Sequence, residues 1–135
     1  MLSFTTIARA RVKRLMRRTL PHELRRLGYT DLVRGFRDWY LYAPGEIPVM
    51  LVAHVDTTHR DLPSKIFYDP KARIYWSPDG LGADDRAGVY AILRLLAMGF
   101  RPHVLFTDDE ESGGLGAEAA ALDLQPEVNI LIELD

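Results

Sequence analysis

Four times along this chain an apolar stretch gives way to side chains that bind hard or borderline divalent cations. The stretches are LVAHVDTTH (Leu51 to His59), PDGLGADDRAG (Pro78 to Gly88), LFTDDEESGGLGAE (Leu105 to Glu118) and LIELD, which ends at Asp135. One such coincidence is common, and four in series restrict the fold. Each reads as an apolar, strand-like run that ends in residues able to bind such a cation, and the connections between the runs decide how those ends are arranged.

Pro48 to His54 reads as a strand. Ile66–Tyr68 and Arg73–Trp76 read as a hairpin about Asp69-Pro70. A helix is expected from Asp84 to Met98, with Val89, Ile92, Leu93 and Leu96 on its apolar side and Gly99 to end it. His103 to Thr107 is the next strand, Leu115 to Leu122 an alanine-rich helix, and Val128 to Leu134 a last buried strand. Alternating strands and helices predict an α/β fold with parallel central strands. Ligands of such sheets sit beyond the carboxyl ends of the strands, where His54, Asp56, Glu110, Glu111 and Asp135 all fall. Ahead of this core, Thr5 to Arg18 is expected to form one basic amphipathic helix, burying Ile7, Val12, Leu15 and Met16. A second helix is expected from Pro21 to Leu27, stopped by Gly28, then one more helical turn over Asp31–Gly35, and a strand over Arg37–Tyr42. The expected organisation is one domain over 1–135, with a helical segment to residue 35 and the α/β core from 36.

Composition narrows the chemistry. The chain has 135 residues and no cysteine, so thiolate ligands, disulfides and cysteine nucleophiles are excluded. Metal must be held by His, Asp and Glu, which suits zinc, cobalt or manganese. A net charge of −2 points to neither nucleic acid nor an anionic membrane as partner, and no apolar run reaches the ~20 residues that span a bilayer. The cysteine-free composition fits a cytoplasmic setting. The start of the chain, arginine-rich and free of acids to His22, has the composition of some transit peptides. The helical spacing of its apolar residues favours a surface helix.

Within the clusters, strand alternation puts His54 and Asp56 on one side. The imidazole suits a metal, and Asp56 can orient it or a neighbouring ligand; the plainer alternative is a polar turn. Asp84 and Asp85 repel each other unless neutralised, as by divalent ions; the plainer alternative is a helix cap. Of the adjacent Glu110 and Glu111, one can bind metal and the other serve as general base, unless the run is a solvated acidic loop. Asp135 alone carries no signal.

As an ordered set, HVD, GADDRAG, DEESGGLGA and ELD resemble the zinc exopeptidases that include peptidase T, the carboxypeptidase G type and bacterial aminopeptidases. The resemblance covers roughly Pro48 to Asp135. It implies a three-layer sandwich, with a mixed, largely parallel sheet between helices, of the phosphorylase/hydrolase-like kind and truncated here. It also implies two divalent ions, zinc first, sharing a bridging carboxylate. His54 would bind one ion with Asp56 in support, and Asp84 would bridge both ions through a residue pair whose peptide bond is often cis. Glu110 would be the general base, Glu111 a ligand of one ion and Asp135 of the other. The implied activity is removal of terminal residues from short peptides by a metal-bound hydroxide. The resemblance also implies a further metal-binding His downstream, which these motifs do not include; His103 is expected at the opposite sheet end, and His59 in a surface loop. The alternative is therefore a non-catalytic metal-binding or structural remnant of the same fold. Expected partners are a short peptide substrate and, through an apolar last strand, a second copy of the chain.

Overall fold

A computed structural model describes residues 1–135. Its centre is a five-stranded sheet in the order β1-β2-β6-β3-β7. β3 (Ile47–His54) runs parallel to β6 (Pro102–Thr107) on one side and to β7 (Ile130–Glu133) on the other. β2 (Tyr40–Ala43) pairs antiparallel with β6, and the two-residue β1 (Val33–Arg34) pairs antiparallel with β2. The sheet is mixed, as expected, and its parallel strands are the ones that end in the acidic and imidazole side chains. β4 (Phe67–Asp69) and β5 (Ile74–Trp76) form a separate antiparallel hairpin.

Strand alternation sorts the residues of β3 onto two faces. Leu51, Ala53 and Val55 join Leu41, Val104 and Phe106 in the larger core, against Val89, Ile92, Leu93 and Leu96 of α4 (Ala83–Ala97). The N-terminal helices complete that core with Ile7, Leu15, Leu20 and Leu24, so they share one hydrophobic interior with the sheet. Met50 and Val52 face the other way, where Tyr40, Tyr42, Leu105 and Ala120 of α5 (Leu115–Asp123) make a thinner layer. Helices thus cover both faces, unequally. No helix of the chain is long and apolar enough to cross a membrane.

Four expectations are corrected. The basic helix predicted over Thr5–Arg18 is broken: α1 spans Phe4–Ala8, and helical structure resumes at α2 (Val12–Arg14). The break falls where the Arg86 guanidinium donates to the carbonyl of Ala8 at 2.6 Å, a side-chain substitute for the next helical turn. The stop expected before Pro21 does not occur. α2 passes through a π turn (Leu15–Thr19) into α3 (Leu20–Arg26), and the wider turn accommodates the proline, which has no N–H to give. Asp31–Gly35 is not helical: Val33 and Arg34 pair with Tyr42 and Leu41 as an edge strand. The last strand, expected to be buried, lies at the sheet edge, with Ile130, Leu131 and Ile132 at 55%, 55% and 46% exposure.

The helical segment is pinned at Glu23, which is buried. Its carboxylate accepts from Arg26 at 2.6 Å and from the Leu2 backbone N–H at 3.1 Å, tying the chain start to α3. These bonds, Arg26 first, hold the Glu23 carboxyl below the ordinary glutamate range despite burial. A depressed folded pKa gives stability that is present above the unfolded value and is lost as pH falls through the folded one. Glu23→Gln is therefore expected to lower stability by about 1 kcal/mol near neutrality. Thermal melts of parent and variant should converge as pH drops through the acid range; a difference that persists at the lowest pH would contradict this.

Candidate metal centre

His54 is the last residue of β3 and is 4% exposed. Its ring is held from both sides. Nδ1 faces Asp56 Oδ1 at 3.2 Å, and Nε2 faces Asp84 Oδ1 at 3.1 Å. Asp56 does more than orient the imidazole, because its other oxygen accepts the Glu111 backbone N–H at 3.1 Å. One buried carboxylate thereby fixes both the end of β3 and the turn after β6. Burial would lower the His54 pKa, but Asp56, Asp84 and Glu110 together hold it above the ordinary value.

The acidic run after β6 is presented by a tight turn. Gly114 donates to Asp109 O at 2.7 Å and Gly113 to Glu110 O at 3.2 Å, with Asp109 and both glycines at positive φ. Gly116 lets α5 approach closely: a Cβ there would run into the backbone carbonyls of Asp108 and Trp39. The turn brings Glu110 Oε2 to 3.9 Å from His54 Nε2.

Asp84 and Asp85 stand at the start of α4 in non-helical conformations joined by a cis peptide bond, so regular helix begins after them rather than at Asp84. The pair then divides. The Asp84 side chain is 70% exposed and faces His54. Asp85 turns inward, where Oδ1 accepts the Gly88 N–H at 2.8 Å and Oδ2 has no partner. Burial, with Asp135 and Asp84 adding to it, pushes its carboxyl up to about 6.

Two sets of donor atoms result, each lying within 4.8 Å of one another: His54, Asp84 and Asp135; and His54, Glu110 and Glu111. Both share the imidazole. The six residues singled out from the sequence (His54, Asp56, Asp84, Glu110, Glu111 and Asp135) are thus in one neighbourhood at the carboxyl ends of β3, β6 and β7. A cleft of about 660 Å³ between the start of α4 and the end of β7 is lined by Asp84, Asp85, Glu133 and Asp135. The excess of carboxylate over cation, the imidazole and the orphaned Asp85 oxygen fit divalent ions of the zinc, cobalt or manganese type. His59 is exposed in the loop after β3, with its ring against Gly80, and His103 bonds Tyr42 at the other end of the sheet.

Arg86, which the motifs do not single out, also holds this region together. Its side chain is among the largest fully buried ones, and its guanidinium donates to Val55 O at 3.2 Å, Ala8 O at 2.6 Å and Ile7 O at 3.4 Å. It anchors the peptide between His54 and Asp56. The signal was available, since Arg86 lies in phase with the apolar stripe Val89, Leu93 and Leu96 of α4. A larger concavity, about 920 Å³, lies elsewhere, among the N-terminal arginines. It contains no carboxylate, whereas the side chains that could hold a metal lie around the smaller cleft.

No family model matches the chain, and no curated protein sequence matches it. Solved structures do. A tripeptidase from Staphylococcus aureus superposes with a TM-score of 0.76 at 21% identity, over 98% of this chain and 41% of that one. The aminopeptidase PepT of Bacillus cereus gives 0.75 at 19% identity, over 98% and 41%. The dipeptidase Dug1p of Saccharomyces cerevisiae gives 0.71 at 14%, over 98% and 37%. All three are peptidases, and the chain spans about two fifths of their length. It shares their α/β fold, which matches the resemblance carried by its motifs.

Proposed function

We propose that this chain carries the metal-binding and proton-transferring part of an exopeptidase-like hydrolase acting on terminal residues of short peptides. The observation that supports it is the convergence of one buried imidazole with Asp84, Glu110, Glu111 and Asp135 at the ends of three parallel strands. His54, Asp84 and Asp135 would hold one ion; Asp84 and Glu111 would hold a second. Divalent ions, when bound, polarise the peptide carbonyl and acidify water. Glu110, half exposed beside the imidazole, takes the proton of the attacking water and returns it to the leaving amine. Asp56 keeps the Nδ1 proton of His54 in place and fixes the Glu111 backbone.

A second reading, metal binding without turnover, is favoured by one observation: both donor sets depend on the same imidazole. The second ion is therefore expected to be loosely held in this chain, and turnover to fall below ~1 s⁻¹. Calorimetric titration with zinc, cobalt and manganese tests the site, alongside cleavage of di- and tripeptides. Binding of at least one ion, weakened more than about tenfold in His54→Ala, is expected. Binding without any cleavage would leave the non-catalytic reading. No binding of any of the three ions would end both.

A further inference from the structure

Charge is unevenly distributed along the chain. Residues 1–22 hold six of its 17 Lys and Arg residues and none of its 19 Asp and Glu residues. Folding gathers four of the six, together with Arg25, around a concavity. The cavity of about 920 Å³ between α1 and the helical run of α2 and α3 is lined by Arg9, Arg14, Arg17, Arg18, His22 and Arg25. No acidic side chain lines it. Arg17 is paired with Asp38 outside the groove, whereas Arg9, Arg14, Arg18 and Arg25 have no ion pair or side-chain hydrogen bond. Like charges held around one concavity repel, and a bound anion relieves that repulsion.

We infer that this groove is a binding site for a compact, multiply charged phosphate compound, separate from the metal centre. Three observations select the ligand class. The strong cations are all arginine and none is lysine, which suits the bidentate geometry of phosphate oxygens. The volume lies in the range of small-molecule sites, roughly 300–1,000 Å³. The lining includes no Phe, Tyr or Trp on which bases could stack, and few apolar side chains to enter a bilayer. A small oligophosphate therefore fits better than single-stranded nucleic acid or a membrane surface. The groove shares no residue with the donor sets around His54.

The test is calorimetric titration of the 135-residue chain with inorganic tripolyphosphate, without divalent metal because tripolyphosphate chelates it. Orthophosphate, a short DNA duplex, single-stranded DNA and phosphatidylserine vesicles are the comparison ligands. Saturable one-to-one binding is expected, at least about tenfold tighter than orthophosphate and weaker at raised salt. The variant Arg9→Gln/Arg14→Gln/Arg18→Gln should lose about tenfold or more in affinity. A control of equal charge change on other surfaces, Lys65→Gln/Lys71→Gln/Arg94→Gln, should lose little. If the triple variant does not fold, Arg9→Gln alone, at an exposed position, should weaken binding in the same direction. The inference is overturned by absent or non-saturable binding. It is overturned equally if the control loses as much as the groove variant, or if nucleic acid or vesicles bind more tightly than tripolyphosphate.

Discussion

Glu110→Gln is expected to leave metal affinity unchanged and to lower peptide hydrolysis by roughly 10²–10⁴-fold, the usual loss when a positioned general base is removed. Glu111→Gln is expected to do the reverse first: an ion is loosened by at least about 10–100-fold, and hydrolysis falls with it. The two side chains are adjacent in sequence but differently held. The backbone of Glu111 is fixed by Asp56, which also holds His54. Glu110 extends to 3.9 Å from the outward-facing ring nitrogen with nearly half of its side chain exposed, where water and substrate arrive. Amide for carboxylate keeps the volume at either position and removes the charge. Metal titration of both variants, with single-turnover cleavage at saturating metal, separates the roles. Equal metal affinities in the two would contradict the division.

Arg86→Met is expected to destabilise the chain by about 3 kcal/mol, because three backbone carbonyls lose a donor that water cannot replace. At this length that corresponds to a fall of roughly 10 °C in Tm. Methionine fills much of the space, so the loss reports hydrogen bonding rather than a cavity. Arg86→Lys should fall between, since one ammonium cannot reach acceptors on two elements in the same geometry. Arg94→Met, at an exposed position on the same helix, should change stability by less than ~0.5 kcal/mol. Similar melts for the Arg86 and Arg94 variants would show that the buried guanidinium is not what joins α1, α4 and the end of β3.

The division proposed for the adjacent Glu110 and Glu111 has an observed counterpart at Asp84 and Asp85. Sequence marks both as carboxylates at a helix start and cannot say that one faces His54 while the other is buried against Gly88. Backbone direction decides it, through non-helical dihedrals that no local propensity encodes. The same holds for β7. Its apolar residues read as a buried strand, because hydrophobicity reports what a segment would gain from burial, not whether a neighbour covers it. Position at the sheet edge leaves it exposed.

What the sequence determined by itself was the order of strands and helices from β3 onward, through the apolar run that ends at His54 and the α4 stripe, and which six residues are candidates for the site. Those are local properties: side-chain period, turn chemistry, and carboxylates placed after apolar runs. What only the tertiary structure decided was which atoms meet. Parallel pairing in register, His54 opposite Thr107 and Val52 opposite Glu133, brings Asp135, two residues beyond β7, alongside the ends of β3 and β6. Asp56 can then reach the turn after β6, and Arg86 can reach back to a helix 78 residues earlier in the chain. Such contacts join segments far apart in sequence, and their geometry follows from packing the whole sheet against its helices rather than from any stretch read alone.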